Sequence, residues 1–361
     1  MDIAEFRAAI APPDEAAAAA ARERIDNLTK PVGSLGRIER LAVQLAAIAG
    51  GTPAHAFERR AIVIGAGDHG VAADGVSAYP SEVTAQMVGA FLGGFAAINA
   101  FARAARAPVF VANFGVREPL AAHPQLLDVN VGYGTANLAR RAAIRRDDLG
   151  YVLAAGVAAF DEVRARVPFD VLGLGDMGIG NTTSAAAVVA AFTGKPVRTV
   201  VGRGTGVDDA GLERKVAAIE RALARCRDFT WDEIASEMGG YEIVGLAGMI
   251  LCAARARIPI VLDGFIVAAA ALIAGSIAPA ALGYCIAAHR SQEPGHALAL
   301  DALGLDPLFD LGLRLGEASG AALALPTVEA AARMIREMRT FAEAGVATSD
   351  AGSVRVEADV R

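Results

Sequence analysis

An apolar run from Phe169 to Leu174 leads into a glycine-rich loop and then into the helix-forming stretch Ala185 to Phe192, which Gly194 and Pro196 close. The joining segment reads Gly173-Leu174-Gly175-Asp176-Met177-Gly178-Ile179-Gly180-Asn181-Thr182-Thr183-Ser184. Buried strand, glycine loop and helix in that order define a βα unit, and no other feature constrains the chain as much. The glycines let backbone approach a ligand closely. Asn181, Thr182, Thr183 and Ser184 offer cap side chains beside free N–H groups, so an anion can sit at the helix start. Asp176 sets one carboxylate inside the loop. Two readings stand here. One is a phosphate cradle with an acid in it, suited to chemistry on a phosphorylated small molecule; the other is a tight, well-capped turn.

The same alternation recurs along the chain. Ala61 to Gly65, Pro108 to Asn113, Leu127 to Val131, Val197 to Gly202 and Ile258 to Leu262 are further strand candidates. Helical spacing marks Pro13 to Asn27, Arg37 to Ala49, Thr84 to Arg106 (one helix or two) and Thr327 to Ala344 after Pro326. Continuously apolar strands separated by helices predict an α/β fold, a doubly wound parallel sheet covered on both faces. Its ligand edge is the carboxyl end of the strands, where Gly, Asp and His gather. The polar segment Ser349 to Arg361 reads as a frayed end.

At 361 residues the chain can bury a large core. Mean hydropathy is +0.40, which raises the question of a membrane span. Phe265 to Ala288 carries no charge and is long enough, but Gly275, Pro279 and Gly283 divide it, and buried helices are expected instead. The start, Met1 to Glu5, has neither a basic cluster nor an apolar run, so no secretory signal is expected. Cys226, Cys252 and Cys285 are scattered, which fits buried thiols in a reducing compartment. A net charge of −6 gives no support to nucleic-acid binding.

Three further loops concentrate small and charged residues. Asp68 and His69 in Gly65-Ala66-Gly67-Asp68-His69-Gly70 are either an acid–base pair or part of a polar turn. Gly202-Arg203-Gly204-Thr205-Gly206, with Lys215 on the next helix, offers backbone donors and cations for a phosphate or carboxylate, or is a solvated loop. Glu317 lies among small apolar residues in Leu315-Gly316-Glu317-Ala318-Ser319-Gly320-Ala321-Ala322. Burial there would raise its pKa and strengthen it as a base; a helix-start glutamate is the plainer alternative. The chain has no GxxxxGK[ST] loop, no GxSxG elbow, no HExxH and no clustered His/Cys set. No metal site and no cofactor are expected.

Taken together, Thr29 to Gly36 (Thr-Lys-Pro-Val-Gly-Ser-Leu-Gly), Asp68-His69-Gly70-Val71, Val83-Thr84-Ala85-Gln86, Gly178 to Thr183, Leu262-Asp263-Gly264-Phe265 and Arg314 to Ala324 resemble one family along nearly the whole chain. It is the nicotinate-nucleotide:dimethylbenzimidazole phosphoribosyltransferase family, which makes the lower-ligand nucleotide of cobalamin. The resemblance implies Glu317 as catalytic base and Asp176 as a second acid, where many relatives have Glu. It implies a nucleotide site at Gly178, Gly180, Asn181, Thr182, Gly202, Arg203, Gly204 and Lys215, and a base site at Tyr79, Pro80, Thr84, Met87 and Leu315. It also implies a Rossmann-like domain over residues 51–325 and a small helical domain built from residues 1–50 and 326–361. The expected protein is a cytoplasmic homodimer acting on nicotinate mononucleotide and a benzimidazole-type base, with no nucleic acid or membrane partner.

The chemistry this implies needs few groups. The pyridinium of nicotinate mononucleotide leaves as a neutral ring nitrogen, so no general acid is required on that side. The incoming base must lose its N–H proton, and one carboxylate suffices. Two alternatives remain at this stage: a nucleotide N-glycosidase, with water as the acceptor, and a non-catalytic nucleotide-binding subunit.

Overall fold

The computed structural model describes residues 3–347, so the segment from Ser349 to Arg361 lies outside the described residues. Six strands form one sheet: β1 (Arg60–Gly67), β2 (Val109–Gly115), β3 (Leu126–Asp128), β4 (Val171–Met177), β5 (Ile260–Leu262) and β6 (Cys285–Ala287). Their order is β3-β2-β1-β4-β5-β6 and every pairing is parallel. The chain therefore winds outward from β1 to β3, then returns across β1 to lay down β4. A doubly wound sheet opens its ligand crevice at this reversal, beyond the carboxyl ends of β1 and β4.

Both faces of the sheet are buried because the strands are apolar at nearly every position. Ala61 and Val63 of β1 join one core with the helices Leu149–Arg166, Asn181–Thr193, Tyr241–Arg255 and Phe265–Ile277. Ile62, Ile64 and Ala66 join the other, with Glu82–Gly93, Ala97–Ala104 and Ser319–Glu337. The helices Glu15–Asp26 and Arg37–Ala49 pack on each other and on Ser319–Glu337.

Three sequence expectations need correction. Val197 to Gly202 is no strand: Val197–Val200 is a short helix that buries Val197 and Val200, three apart, after Pro196 has set its start. The apolar stretch from Phe265 to Ala288 holds one helix, a 3-10 turn and strand β6, which helical reading alone missed. The C-terminal helix begins at Ser319, passes through Pro326 and ends at Glu337. It starts early because Asp263 Oδ1 accepts the Gly320 and Ala321 N–H groups (2.7 and 3.1 Å) and so anchors its first turn. The 23-residue stretch Glu82–Ala104 has the length and hydropathy of a membrane span but is broken into two helices, Glu82–Gly93 and Ala97–Ala104.

Candidate active site

Asp176 stands at the carboxyl end of β4, and residues 178–180 turn into the helix Asn181–Thr193. This turn passes so close to β1 that a Cβ on Gly178 would lie 2.2 Å from the Gly67 carbonyl oxygen. Gly180 ends it at φ +97°, a conformation that favours glycine. Thr84 is fully buried, and its hydroxyl accepts the Ile179 N–H (3.1 Å), fixing the turn from the side. His69, 1% exposed, lies against the same turn and bonds Glu242 through Nε2 (2.6 Å). Asp68 accepts the Arg117 N–H (2.8 Å). Asp68 and His69 thus brace loops rather than face open space.

Glu317 reaches the same place from the other end of the chain. It and Ala318 adopt φ +60° and +63°, a left-handed pair that non-glycine residues rarely hold, and such strain concentrates at functional sites. The turn lies directly on β4. Glu317 N–H donates to the Asp176 carbonyl (3.3 Å), and a Cβ on Gly175 would fall 2.1 Å from Ala318 N. Glycines in β4 are what allow this backbone approach.

A cavity of about 310 Å³ opens at this junction. Asp176, Glu317, His289 and Arg314 line it. Tyr79, Met177, Phe265, Ile266 and Leu315 give it apolar lining, and Thr182, Gly204, Thr205, Ser291 and Glu293 add polar groups. Apolar lining with a few converging polar groups suits a ring-bearing, charged small molecule.

The carboxylates are electrostatically strained. Glu317 is 7% exposed, and burial, helped by the nearby Asp263 charge, pushes its pKa up to about 7. Asp176 is raised well above the ordinary aspartate range by burial first, then by Asp263, Glu242 and Glu317, against one stabilising bond from Asn181 Nδ2 (2.9 Å). Asp263 sits 3.6 Å from His289 Nε2. Burial works against a charged His289, but Asp263, helped by the Arg290 backbone and Asp310, outweighs it and the imidazole pKa ends raised. Because Asp263 contributes to the upward shift of Glu317, Asp263→Asn is expected to lower the Glu317 midpoint below about 7. Carbon-13 NMR titration of labelled glutamate carboxyls reads this directly, and an unmoved midpoint would contradict the coupling.

Lys215 is fully buried behind Thr182 and the 202–204 turn. Its ammonium donates to Thr182 Oγ1 (3.0 Å) and the Gly202 carbonyl (2.8 Å), and burial lowers its pKa to about 8 against the pull of Glu293. Thr205 Oγ1 accepts the Ala78 N–H (3.1 Å), tying this turn to the segment carrying Tyr79.

The structure therefore brings Asp176, Gly178, Asn181, Thr182, Gly204, Glu317, Tyr79 and Leu315 to one cavity. Gly180, Gly202 and Lys215 stand behind it. The Arg203 side chain turns away to Val207 O and Asp209. Pro80 is exposed, and Met87 packs against the core. Sequence reading missed Ser291, Glu293, His289 and the role of Asp263. Ser-Gln-Glu-Pro-Gly-His at 291–296 carried a signal: a polar loop, then proline at a helix start. There the Ser291 N–H donates to His296 Nδ1 (2.9 Å), whose pKa burial lowers to about 3, keeping it a neutral acceptor.

The family described as Phosphoribosyltransferase matches residues 10–346. A nicotinate-nucleotide–dimethylbenzimidazole phosphoribosyltransferase from Roseiflexus sp. (strain RS-1) is 53% identical over 347 residues, 95% of this chain and 98% of that protein. One of the same name from Chloroflexus aggregans is 51% identical over 339 residues, 93% of this chain and 96% of its own. Among solved structures, CobT from Thermus thermophilus is 50% identical, with a TM-score of 0.89, covering 92% of this chain and all of that one. The chain belongs to the nicotinate-nucleotide–dimethylbenzimidazole phosphoribosyltransferase family.

Proposed function

We propose that the enzyme transfers the 5-phosphoribosyl group of nicotinate mononucleotide to dimethylbenzimidazole or a related base, releasing nicotinate and giving α-ribazole 5′-phosphate for cobalamin assembly. The observation that carries this is Glu317, a carboxylate whose pKa is raised to about 7 and which a strained turn holds at the edge of an apolar-walled cavity. It removes the acceptor's N–H proton as the second ring nitrogen bonds C1′ of the ribose. The C1′–pyridinium bond breaks, and its electron pair leaves with nicotinate. Charge is thereby conserved without a general acid on the leaving group.

The remaining residues orient and stabilise. Asn181, Thr182 and the 202–204 turn, with Lys215 behind them, suit the 5′-phosphate at a helix start. Tyr79, Leu315, Phe265 and Ile266 suit the flat rings. Asp176 faces the reacting carbon, and the cationic ribosyl group beside it would favour its ionised form. Holding both substrates in line supplies much of the remaining rate. The apolar walls disfavour water as the acceptor. Nicotinate release with and without added dimethylbenzimidazole tests the reading: release should require the base, and equal release without it would make the enzyme a glycosidase.

Among the shifted groups, Glu317 and Lys215 give the two limbs of the pH dependence. Glu317 must be ionised and Lys215 must be charged, so kcat/KM should rise through about 7 and fall beyond about 8, a narrow maximum between them. A flat profile from about pH 6 to about pH 9 would remove one of them from its role. A cytoplasmic homodimer completes the proposal, with a small helical unit formed by the N-terminal helices and the far end of Ser319–Glu337. Light scattering reads the mass of the assembly.

A further inference from the structure

Glu293 stands at the N-cap position of the helix Pro294–Leu303, yet its side chain makes no cap hydrogen bond there. Capping is the usual task of a polar residue at that position. The carboxylate reaches instead into the 202–204 turn, where Oε1 accepts the Gly204 N–H (3.0 Å). Its Oε2 is buried with no hydrogen-bond partner among the described residues. It also fills the space at Gly202, where a Cβ would lie 2.1 Å from Oε2. Lys215 lies behind the same turn, spends its bonds on two neutral oxygens, and feels the charge of Glu293. A carboxylate thus sits on a backbone N–H within the field of a buried ammonium, the equipment of an anion site.

We propose that Glu293 is a built-in occupant of the phosphate cradle, holding the Gly204 N–H and the field of Lys215 until a substrate phosphate displaces it. This rests on the reading of the 202–204 turn and Lys215 as the phosphate site. An empty cradle would leave a partly buried N–H without this acceptor and a buried cation without a nearby counter-charge, and the carboxylate lowers both costs. A phosphate dianion cannot share that N–H with an ionised carboxylate at contact distance. Entry therefore requires Glu293 to leave, which weakens every phosphate ligand. Free inorganic phosphate has only its charge to set against that cost, whereas a nucleotide adds its ribose and ring contacts. Glu293 is in this sense a specificity residue that keeps the site clear of simple phosphate.

Titration calorimetry of the full chain with inorganic phosphate and with ribose 5-phosphate separates the possibilities, using wild type, Glu293→Gln and Lys215→Met. Glu293→Gln should bind inorganic phosphate about tenfold or more tightly than wild type, and Lys215→Met should bind both ligands more weakly. Equal or weaker binding by Glu293→Gln, with Lys215→Met weakened, would overturn the occupant role and leave the cradle standing. Unchanged binding by Lys215→Met would instead remove the cradle reading itself. If Glu293→Gln fails to fold, wild-type crystals soaked in ribose 5-phosphate decide. Glu293 should have left hydrogen-bond distance of Gly204 N, and an intact contact beside bound phosphate refutes the proposal.

Discussion

Glu317→Gln is expected to lower turnover by ~10²–10⁴-fold while nicotinate mononucleotide binds with near wild-type affinity. Glutamine matches glutamate in shape, so the left-handed turn at Glu317 and Ala318 and its contact with β4 persist. What it removes is a proton acceptor with a pKa of about 7, held where apolar walls disfavour water as a substitute. The loss should therefore appear in kcat and in kcat/KM equally, the signature of an interaction made in the transition state. Steady-state kinetics together with calorimetric nucleotide binding check this. Unchanged kcat would take the base away from Glu317.

Gly175→Ala, a single added methyl group in β4, should reduce turnover by about 10²-fold, because it displaces Glu317 without altering it. The new Cβ would lie 2.1 Å from Ala318 N and 2.5 Å from its Cα, and backbone at that distance cannot yield by a rotamer change. Either the strand or the Glu317 turn must shift. Overpacking of this kind also costs stability, about 1–3 kcal/mol. Gly173→Ala is the control two residues earlier on the same face. Its Cβ would meet Ile62 Cγ1 at 3.3 Å and Ala321 Cβ at 3.5 Å, contacts that side chains can accommodate, so turnover should stay close to wild type. Equal kcat values for the two variants would contradict the view that β4 carries the catalytic turn.

Much of this arrangement was legible from residue order. Strands β1, β2, β4 and β5 are buried on both faces and read as apolar runs, and the glycine turn after β4 announced the helix start. The setting of Glu317 was legible too, since small apolar neighbours on both sides leave a carboxylate little water. What escaped was long-range. Strand β6 is three residues, Cys285 to Ala287, and its strand character comes from pairing with β5 rather than from its own composition. The β-branched Val197, Thr199 and Val200 favour a strand locally, but burial of Val197 and Val200 on helices overrides that preference. Pro326 looked like a helix start because the true start is set by a carboxylate from Asp263, over fifty residues away in sequence. The 291–296 loop signalled a helix start, but Glu293 within it looks like an ordinary cap until the fold brings it to Gly204.

The most direct test is a crystal structure with an unreactive nicotinate mononucleotide analogue and dimethylbenzimidazole bound together. A Glu317 carboxylate oxygen should stand within about 2.6–3.2 Å of the acceptor's ring N–H nitrogen, with the other ring nitrogen aimed at C1′. A base seated with both ring nitrogens out of reach of Glu317 would contradict the mechanism at its centre.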